Sequence, residues 1–158
     1  MKDNISITDG FNLWHHNSQS ILKEGRMDEY EILLNSINYP FHIMAFSETW
    51  LRNDNVDRVG FQDYEHVHSI RPLNNDIDDK EAGGGLSFFI KDGLNYKVCN
   101  DMNLMLPFIE TLFIEVSVNQ TNYIMGLIYR VPNTNIDISL EVFIEYLIQI
   151  LIYHWRYL

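Results

Sequence analysis

Glu48 is the residue whose position is best suited to chemistry, because it directly follows a predicted core strand. That strand, Phe41 to Phe46, is a largely apolar run ended by a polar break, which is typical of a buried strand. A carboxylate just past a core strand lies where α/β folds build their sites. There it is held rigidly yet reaches solvent, as a hard cation such as Mg²⁺ requires. Taken alone, Glu48 is more simply explained as a solvated residue.

Three further polar clusters adjoin predicted strands and favour a functional role for Glu48 over that of a solvated residue. Asn17 to Ser20 follows the first strand, Gly83 to Gly85 precedes a strand over Leu86 to Ile90, and Tyr129 to Thr134 begins where the last strand ends. Because each cluster adjoins a strand end, we expect these segments to converge at one edge of a sandwich. The triple glycine enters a strand rather than a helix, so it indicates close backbone packing or a turn rather than a phosphate cradle.

The elements needed to position these residues can be read from hydrophobic periodicity. Apolar residues at helical spacing predict one amphipathic helix, and apolar runs bounded by turn residues predict strands, with Asp92-Gly93 as a hairpin turn. A strand–helix–strand unit followed by mostly antiparallel strands and a final helix predicts an α/β (α+β) sandwich rather than a doubly wound sheet. The predicted strands are Phe11–His16, Phe41–Phe46, Tyr64–His68, Leu86–Ile90, Tyr96–Cys99, Thr111–Val118 and Tyr123–Tyr129, and the predicted helices are Met27–Asn38 and Val142–Tyr153.

Composition excludes several classes of protein. The 158 residues are 46% hydrophobic and 21% charged, which is typical of a globular chain with a substantial core. A net charge of −11 argues against a general nucleic-acid binder, although a nuclease can place a divalent cation between its carboxylates and the phosphate. A single cysteine, Cys99, together with the absence of a signal-peptide or membrane-spanning pattern, predicts an intracellular protein of the nucleus or cytoplasm.

Taken in order, the motifs resemble the endonuclease/exonuclease/phosphatase superfamily, and more narrowly the apurinic-type endonuclease domain of non-LTR retrotransposons. The pattern of that family is roughly N-x-[RQ]-S-L, S-E-T-W-L, G-G-G-V, E-S-L-F-I-E and Y-R-P-P-N-T. The corresponding text here is NSQSI, SETWL, GGGL, ETLFIEV and YRVPNT. The resemblance covers Phe11 to about Leu151 and implies one sandwich domain over residues 1–158.

The resemblance also implies roles for individual residues. Asn17 resembles the asparagine that positions metal and phosphate, and Glu48 resembles the Mg²⁺-binding glutamate. Tyr129 resembles the tyrosine that hydrogen-bonds the scissile phosphate, while Arg130 and Asn133 fall in the segment that contacts the substrate backbone. Mg²⁺ held by Glu48 and Asn17 would act as a Lewis acid on a DNA phosphodiester. Without the resemblance, Asn17 would be interpreted as a turn residue and Tyr129 as a strand-end aromatic.

The chain also departs from this family. There the pattern continues with G-D-F-N and S-D-H, which supply an Asp and Asn and the Asp–His pair that moves the proton of the water; this sequence contains neither. His42 stands where the family often has Asp, and Val131 replaces the first of two prolines. We therefore expect an incomplete, N-terminal part of the domain with weak Mg²⁺ binding and little or no catalysis. An uncovered last helix, around Phe143, Leu147 and Leu151, and open strand edges would favour self-association.

Other functions remain open at this stage. A phosphatase of the same superfamily, acting on phosphoinositide or sphingolipid head groups, is one alternative, and a non-catalytic remnant or binding module is another. His66 and His68 share a strand face and could bind Zn²⁺, but no third ligand is evident, so a surface strand is the preferred interpretation. The cluster Asp76, Asp78 and Asp79 lacks EF-hand spacing and is interpreted as a solvated loop.

Overall fold

The computed structural model of the chain describes residues 11–37, 41–71, 83–103, 105–106, 109–132 and 140–148. Within them, two β-sheets pack face to face, with one helix on the outer face of each sheet. The strands and helices are β1 (Leu13–Asn17), α1 (Arg26–Ser36), β2 (Ile43–Ser47), β3 (Tyr64–Ser69), β4 (Leu86–Lys91), β5 (Asn95–Val98), β6 (Met105–Leu106), β7 (Ile109–Val118), β8 (Thr121–Arg130) and α2 (residues 140–148).

The first sheet has the strand order β1-β2-β4-β3. β1 and β2 are parallel, with α1 as the crossover helix between them, and Asn17 lies in register with Ser47 at their carboxyl ends. β4 is antiparallel to both β2 and β3, so its first residue, Leu86, starts beside those same ends. The carboxyl ends of β1, β2 and β3 and the start of β4 therefore form one edge of the sandwich.

The second sheet is built around β7, which is the longest strand together with β8. β8 pairs with β7 along its whole length, whereas β5 and β6 pair with its two ends. Asn119 and Gln120 both have positive φ, at 49° and 66°, as the tight turn of a twisted hairpin requires. The mixed sandwich and the β7–β8 hairpin confirm the fold predicted from the sequence.

Strand alternation divides the apolar residues of the first sheet between two cores. Ile43, Leu86 and Ile90 point between the sheets, where they pack with Leu112 and other β7 residues. Met44, Phe46 and Phe89 point the other way and pack under α1 against Tyr30. The predicted helix Met27–Asn38 is observed as Arg26–Ser36, with Asn38 outside the described residues.

The predicted hairpin between β4 and β5 is wrong in its pairing. Asp92 and Gly93 do form a turn, in which the amide of Leu94 donates to the carbonyl of Lys91 at 3.1 Å. However, β4 pairs with β2 and β3, whereas β5 pairs with β7 in the second sheet. The turn carries the chain from one sheet to the other, because both edges of β4 are already paired with β2 and β3, and β5 then pairs with β7.

Helix α2 packs on the outer face of the second sheet through Tyr146, whose ring lies 6.2 Å from that of Phe113. Its exposed apolar residues are Leu140, Ile144 and Ile148, at 54%, 47% and 49% exposure. Phe143 and Leu147, predicted to be uncovered, are instead half-buried, and Leu151 lies outside the described residues. Among the described helices, none is long and apolar enough to span a membrane.

Candidate functional site

Glu48 and Asn17 lie at the ends of neighbouring parallel strands. Because Asn17 is in register with Ser47, the loops that follow the two strands start side by side. The amide of Ser18 donates to the carbonyl of Ser47 at 2.9 Å, and that of Ser20 donates to the carbonyl of Glu48 at the same distance. The buried Ser18 hydroxyl also donates to the carbonyls of Ser47 and Glu48, at 3.1 and 3.0 Å. These bonds fix the backbone on which Glu48 is carried.

The backbone at this edge adopts an uncommon conformation. Gln19, Ser20, Glu48 and Trp50 all have positive φ, between 44° and 77°, and they are four of the seven non-glycine residues with positive φ in the described part of the chain. Such conformations cost roughly 1–3 kcal/mol each and persist only where the surroundings impose them. Their concentration in two adjoining loops marks this edge as a site whose geometry is held against local preference.

The Glu48 carboxylate is anchored through one of its two oxygens. Its Oε2 accepts hydrogen bonds from the indole Nε1 of Trp50 and from the amide of Gly84, the latter at 3.2 Å. Neither of these donors reaches Oε1, and no other described residue supplies it with a donor. The carboxylate is thereby oriented with one oxygen available for a ligand.

An open groove of about 620 Å³ lies beside this carboxylate. Its volume is in the usual range for small-ligand sites. Lys23 lines the groove with Glu48, so a cationic and an anionic group face the same space. Asn17 lies nearby but is not a lining residue; its Oδ1 accepts a hydrogen bond from the amide of Gln19 at 3.3 Å. The remaining lining residues are Gln19, Ser20 and Trp50.

The triple glycine closes the opposite side of Glu48. Gly84 and Gly85 have φ of 72° and 83°, in the left-handed region that favours glycine. A Cβ at position 84 would lie under 3 Å from Glu110 and from the Arg71 guanidinium, and one at position 85 would lie 2.6 Å from Thr49 Oγ1. The interpretation of this segment as close backbone packing is confirmed, since no side chain fits at either position.

A second carboxylate, Glu110, lies behind this glycine turn and is only 1% exposed. Its Oε1 accepts a hydrogen bond from Arg71 Nε in an ion pair, and its Oε2 accepts one from the amide of Gly85 at 2.7 Å. Sequence reasoning assigned a role to neither residue, although Glu110 is the first residue of the ETLFIEV motif. The alternation of side chains along a strand could have indicated that Glu110 is buried, because it shares a face of β7 with the inward-pointing residues Leu112 and Ile114.

Tyr129 reaches the same edge from β8. It lies directly opposite Glu110 in the β7–β8 pairing, so the two side chains stand on one face. The Arg71 Cζ atom lies 6.0 Å from the centroid of the Tyr129 ring. Arg130, the next residue, is exposed and its Nη1 donates to the carbonyl of Val131 at 3.3 Å. Asn133 lies outside the described residues.

The structure thus brings Asn17 and Glu48 together and connects them to Tyr129 through the glycine turn, Glu110 and Arg71. The roles assigned to Asn17, Glu48, Tyr129 and Arg130 stay predictions. Among described residues, no group of three or more His, Cys, Asp or Glu side chains could hold a metal ion. The oxygen atoms that could coordinate a metal ion are Glu48 Oε1 and the Asn17 amide oxygen, since both Glu110 oxygens already accept hydrogen bonds. This set suits a weakly held, largely hydrated Mg²⁺.

His66 and His68 do not form a second metal site. Their rings lie 5.1 Å apart, but His66 stacks on Phe89 at 4.4 Å and its Nε2 hydrogen-bonds Ser87 Oγ at 2.9 Å. Burial, and then the neighbouring His68, lower the pKa of His66 to about 4. β3 is an edge strand with no fully buried residue, as expected of a surface strand, and within it His66 is half-buried whereas His68 is exposed.

No family model and no curated protein matches the chain. Among solved structures, the fold is similar to the endonuclease domain of TRAS1, a telomere-specific non-LTR retrotransposon, with a TM-score of 0.56. The match covers 83% of this chain and 51% of that one, at 14% sequence identity. The chain therefore spans about half the length of the matched chain. The likeness establishes the shared fold and supports the resemblance drawn from the ordered motifs.

Proposed function

We propose that the chain is the phosphodiester-binding part of a Mg²⁺-dependent endonuclease domain of the non-LTR retrotransposon type, with DNA as its ligand. The observation that carries the proposal is the Glu48 carboxylate, anchored through Oε2 and presenting Oε1 beside a groove that Lys23 shares. A cation on the carboxylate and an ammonium group across the groove are both attractive to a phosphate. The similarity of the fold to the TRAS1 endonuclease domain supports the same conclusion.

In this proposal Glu48 and Asn17 hold Mg²⁺, which when bound supplies Lewis-acid polarisation of the phosphate. Tyr129 donates a hydrogen bond to the phosphate, and Arg130 and Asn133 contact the substrate backbone. Lys23 adds a further positive charge on the groove wall. No described His or Asp lines the groove, and the sequence has neither G-D-F-N nor S-D-H, so the described part of the chain offers no base there to activate water. We expect DNA binding with little or no hydrolysis, within the nucleus or cytoplasm.

The deciding experiment combines a metal titration with a nicking assay. We expect Mg²⁺ to bind the purified chain with a Kd on the order of millimolar, detected through Trp50 fluorescence or its indole NMR signal. Glu48→Gln should abolish this change, whereas Glu31→Gln, the same charge change on α1, should leave it intact. Tight, stoichiometric Mg²⁺ binding that survives Glu48→Ala would contradict the proposal.

Plasmid nicking separates a nuclease from a binding module. The lack of a general base removes roughly 10²–10⁴-fold in rate, so supercoiled plasmid should stay intact in Mg²⁺ while a fluorescent DNA duplex still binds. Robust nicking by a monodisperse chain, abolished by Glu48→Ala, would show that catalysis needs fewer residues than proposed. Preferential binding of vesicles carrying phosphoinositides over DNA would favour the phosphatase branch.

Self-association is part of the same proposal. Leu140, Ile144 and Ile148 expose apolar surface on α2, and the strands β1, β3 and β8 lie at sheet edges within the described residues. Exposed apolar faces and open strand edges favour association. Analytical ultracentrifugation should detect oligomers, and Ile144→Lys with Ile148→Lys should reduce them; a monodisperse monomer at high concentration would contradict this part.

A further inference from the structure

Arg71 is placed to influence both Glu48 and Tyr129 without contacting the groove. We propose that Arg71 is a positioning residue that sets the orientation of the Glu48 carboxylate through Glu110 and the Gly84–Gly85 amides, and that of the Tyr129 ring by a direct cation–π contact. The part concerning metal binding rests on the proposed function. Glu110, at 1% exposure, has exchanged water for protein donors.

Burying a carboxylate is costly, and pairing it with a cation often does no better for stability than an apolar pair of the same volume. Glu110 accepts hydrogen bonds from two described donors, Arg71 Nε and the amide of Gly85. The guanidinium Nη2 of Arg71 is itself buried, and no described residue accepts a hydrogen bond from it. A pair that leaves a guanidinium nitrogen unsatisfied is poorly optimised for stability, which favours a geometric role.

The connection to Glu48 runs through one peptide unit. Gly85 donates its amide to Glu110 and Gly84 donates its amide to Glu48, so the two carboxylates are held by successive backbone N–H groups. The glycine turn has no side chains of its own to hold it, and Arg71 Nη1 lies 3.3 Å from the Cβ position of Gly83. A shift of the Arg71–Glu110 pair therefore moves the donor that orients Glu48.

The connection to Tyr129 is direct. The guanidinium lies 6.0 Å from the ring centroid, at the limit of a cation–π contact, and Glu110 is the cross-strand neighbour of Tyr129. The guanidinium bonds Glu110 through Nε while its Cζ lies over the ring, and a lysine ammonium lacks the planar group that makes both contacts. Arg71→Lys is thus the informative variant, because it keeps the charge and removes the planar geometry.

The test compares wild type, Arg71→Lys and Glu110→Gln by two readouts. In the metal-free protein, the NMR signals of the Trp50 indole and the Gly84 and Gly85 amides should shift in both variants. In a Mg²⁺ titration, both variants should bind roughly 10-fold more weakly, as expected when the partners behind a metal ligand are changed. Tyr64→Phe is the control: it removes a 2.7 Å hydrogen bond to Phe41 at the opposite edge and should alter neither readout.

The two readouts distinguish a failure of the proposed function from a failure of the positioning role of Arg71. If wild type binds no Mg²⁺, the proposed function fails, while the metal-free signals of Trp50 and the two glycines still decide the positioning role. If Glu110→Gln does not fold, Arg71→Lys carries the test, because its side chain is 24% exposed and keeps its charge. Unchanged Trp50 and glycine signals in a folded Arg71→Lys protein would overturn the proposal, whatever the metal affinity.

Discussion

Glu48 and Glu110 accept hydrogen bonds from the backbone amides of two consecutive residues, Gly84 at 3.2 Å and Gly85 at 2.7 Å. Glu48 follows β2 in the first sheet, whereas Glu110 lies on β7 in the second. A single turn of backbone therefore joins the two sheets at the edge where the groove opens. The placement of the two carboxylates relative to each other therefore depends on the backbone of this turn.

Glycine-to-alanine variants at three positions should separate the cost of backbone strain from that of steric overlap, with Gly84 representing the turn and Gly25 and Gly60 serving as references elsewhere. Gly60→Ala, with nothing within 4 Å of its Cβ and no positive φ, should be neutral or slightly stabilising. Gly25→Ala, at φ 75° in open space, should cost roughly 1 kcal/mol. Gly84→Ala adds overlap with Glu110 and should cost about 2–4 kcal/mol. Urea denaturation measures all three, and equal effects at Gly25 and Gly84 would contradict the close packing.

The ion pair should respond asymmetrically to the loss of either partner. Arg71→Met leaves Glu110, at 1% exposure, without its cation, so it should lower the free energy of unfolding by roughly 3–5 kcal/mol. Glu110→Met leaves Arg71, whose side chain is 24% exposed and can reach water, so its cost should be smaller. The double variant should be more stable than Arg71→Met alone. Chemical denaturation checks this order, and a larger effect of Glu110→Met would contradict it.

Stability should fall as the pH drops toward 4, partly because of His66. Its pKa is lowered to about 4 in the folded protein, chiefly by burial, while an unfolded histidine titrates near 6.5. Between these values the unfolded chain binds more protons, so the stabilisation is complete above pH 6.5, is lost on acidification and changes no further below 4. After a discount for partial exposure, the contribution is roughly 1–3 kcal/mol.

This pH effect can be isolated with variants. His66→Phe should flatten the dependence of urea stability on pH between 6.5 and 4, because the replacement cannot be protonated. His15→Gln, which removes an exposed histidine of β1, is the matched control for the loss of a histidine side chain. An identical slope in wild type and His66→Phe would show that other groups control the acid response.

Phe113, the cross-strand partner of Gly126, leaves no room for a side chain at position 126, so a smaller residue at position 113 should relieve this steric constraint. A Cβ at position 126 would lie 2.8 Å from Cζ of Phe113, which is in register with it and buried under α2. Gly126→Ala should therefore cost roughly 1–3 kcal/mol in the wild type, and clearly less in a Phe113→Leu background. Thermal or urea unfolding of the four proteins gives the coupling energy. Additive effects, as expected for Gly60→Ala with Phe113→Leu, would contradict the overlap.

The local elements were predictable because their signals are local. The parallel unit β1–α1–β2 follows from two strands separated by an amphipathic helix, and the β7–β8 hairpin follows from alternation on both sides of a short polar turn. The Asp92–Gly93 turn was equally clear, yet it could not reveal the sheet to which each flanking strand belongs. Strand partnership is decided by packing over the whole chain, so the predicted pairing of β4 with β5 was wrong.

The candidate site was predictable only where a motif marked it. Glu48 and Asn17 stand at strand ends in ordered motifs, and the structure places them side by side. Arg71 follows β3 and meets Glu110 across 39 residues of sequence, and no spacing rule links them. Trp50 was noticed only as a neighbour of Glu48; its hydrogen bond to Oε2 depends on positive φ at both residues, which their sequence does not indicate.

The hydrogen bonds around the glycine turn bridge 36, 39 and 25 residues of sequence. Closing loops of this size costs conformational entropy before any contact repays it, and such non-local contacts slow folding. The groove is lined by the loops after β1 and β2, but the contacts behind Glu48 require the start of β4, Arg71 and Glu110 of β7 to be assembled as well. The orientation of the Glu48 carboxylate in this chain is therefore a property of the complete tertiary structure, and the β1–α1–β2 unit by itself lacks these contacts.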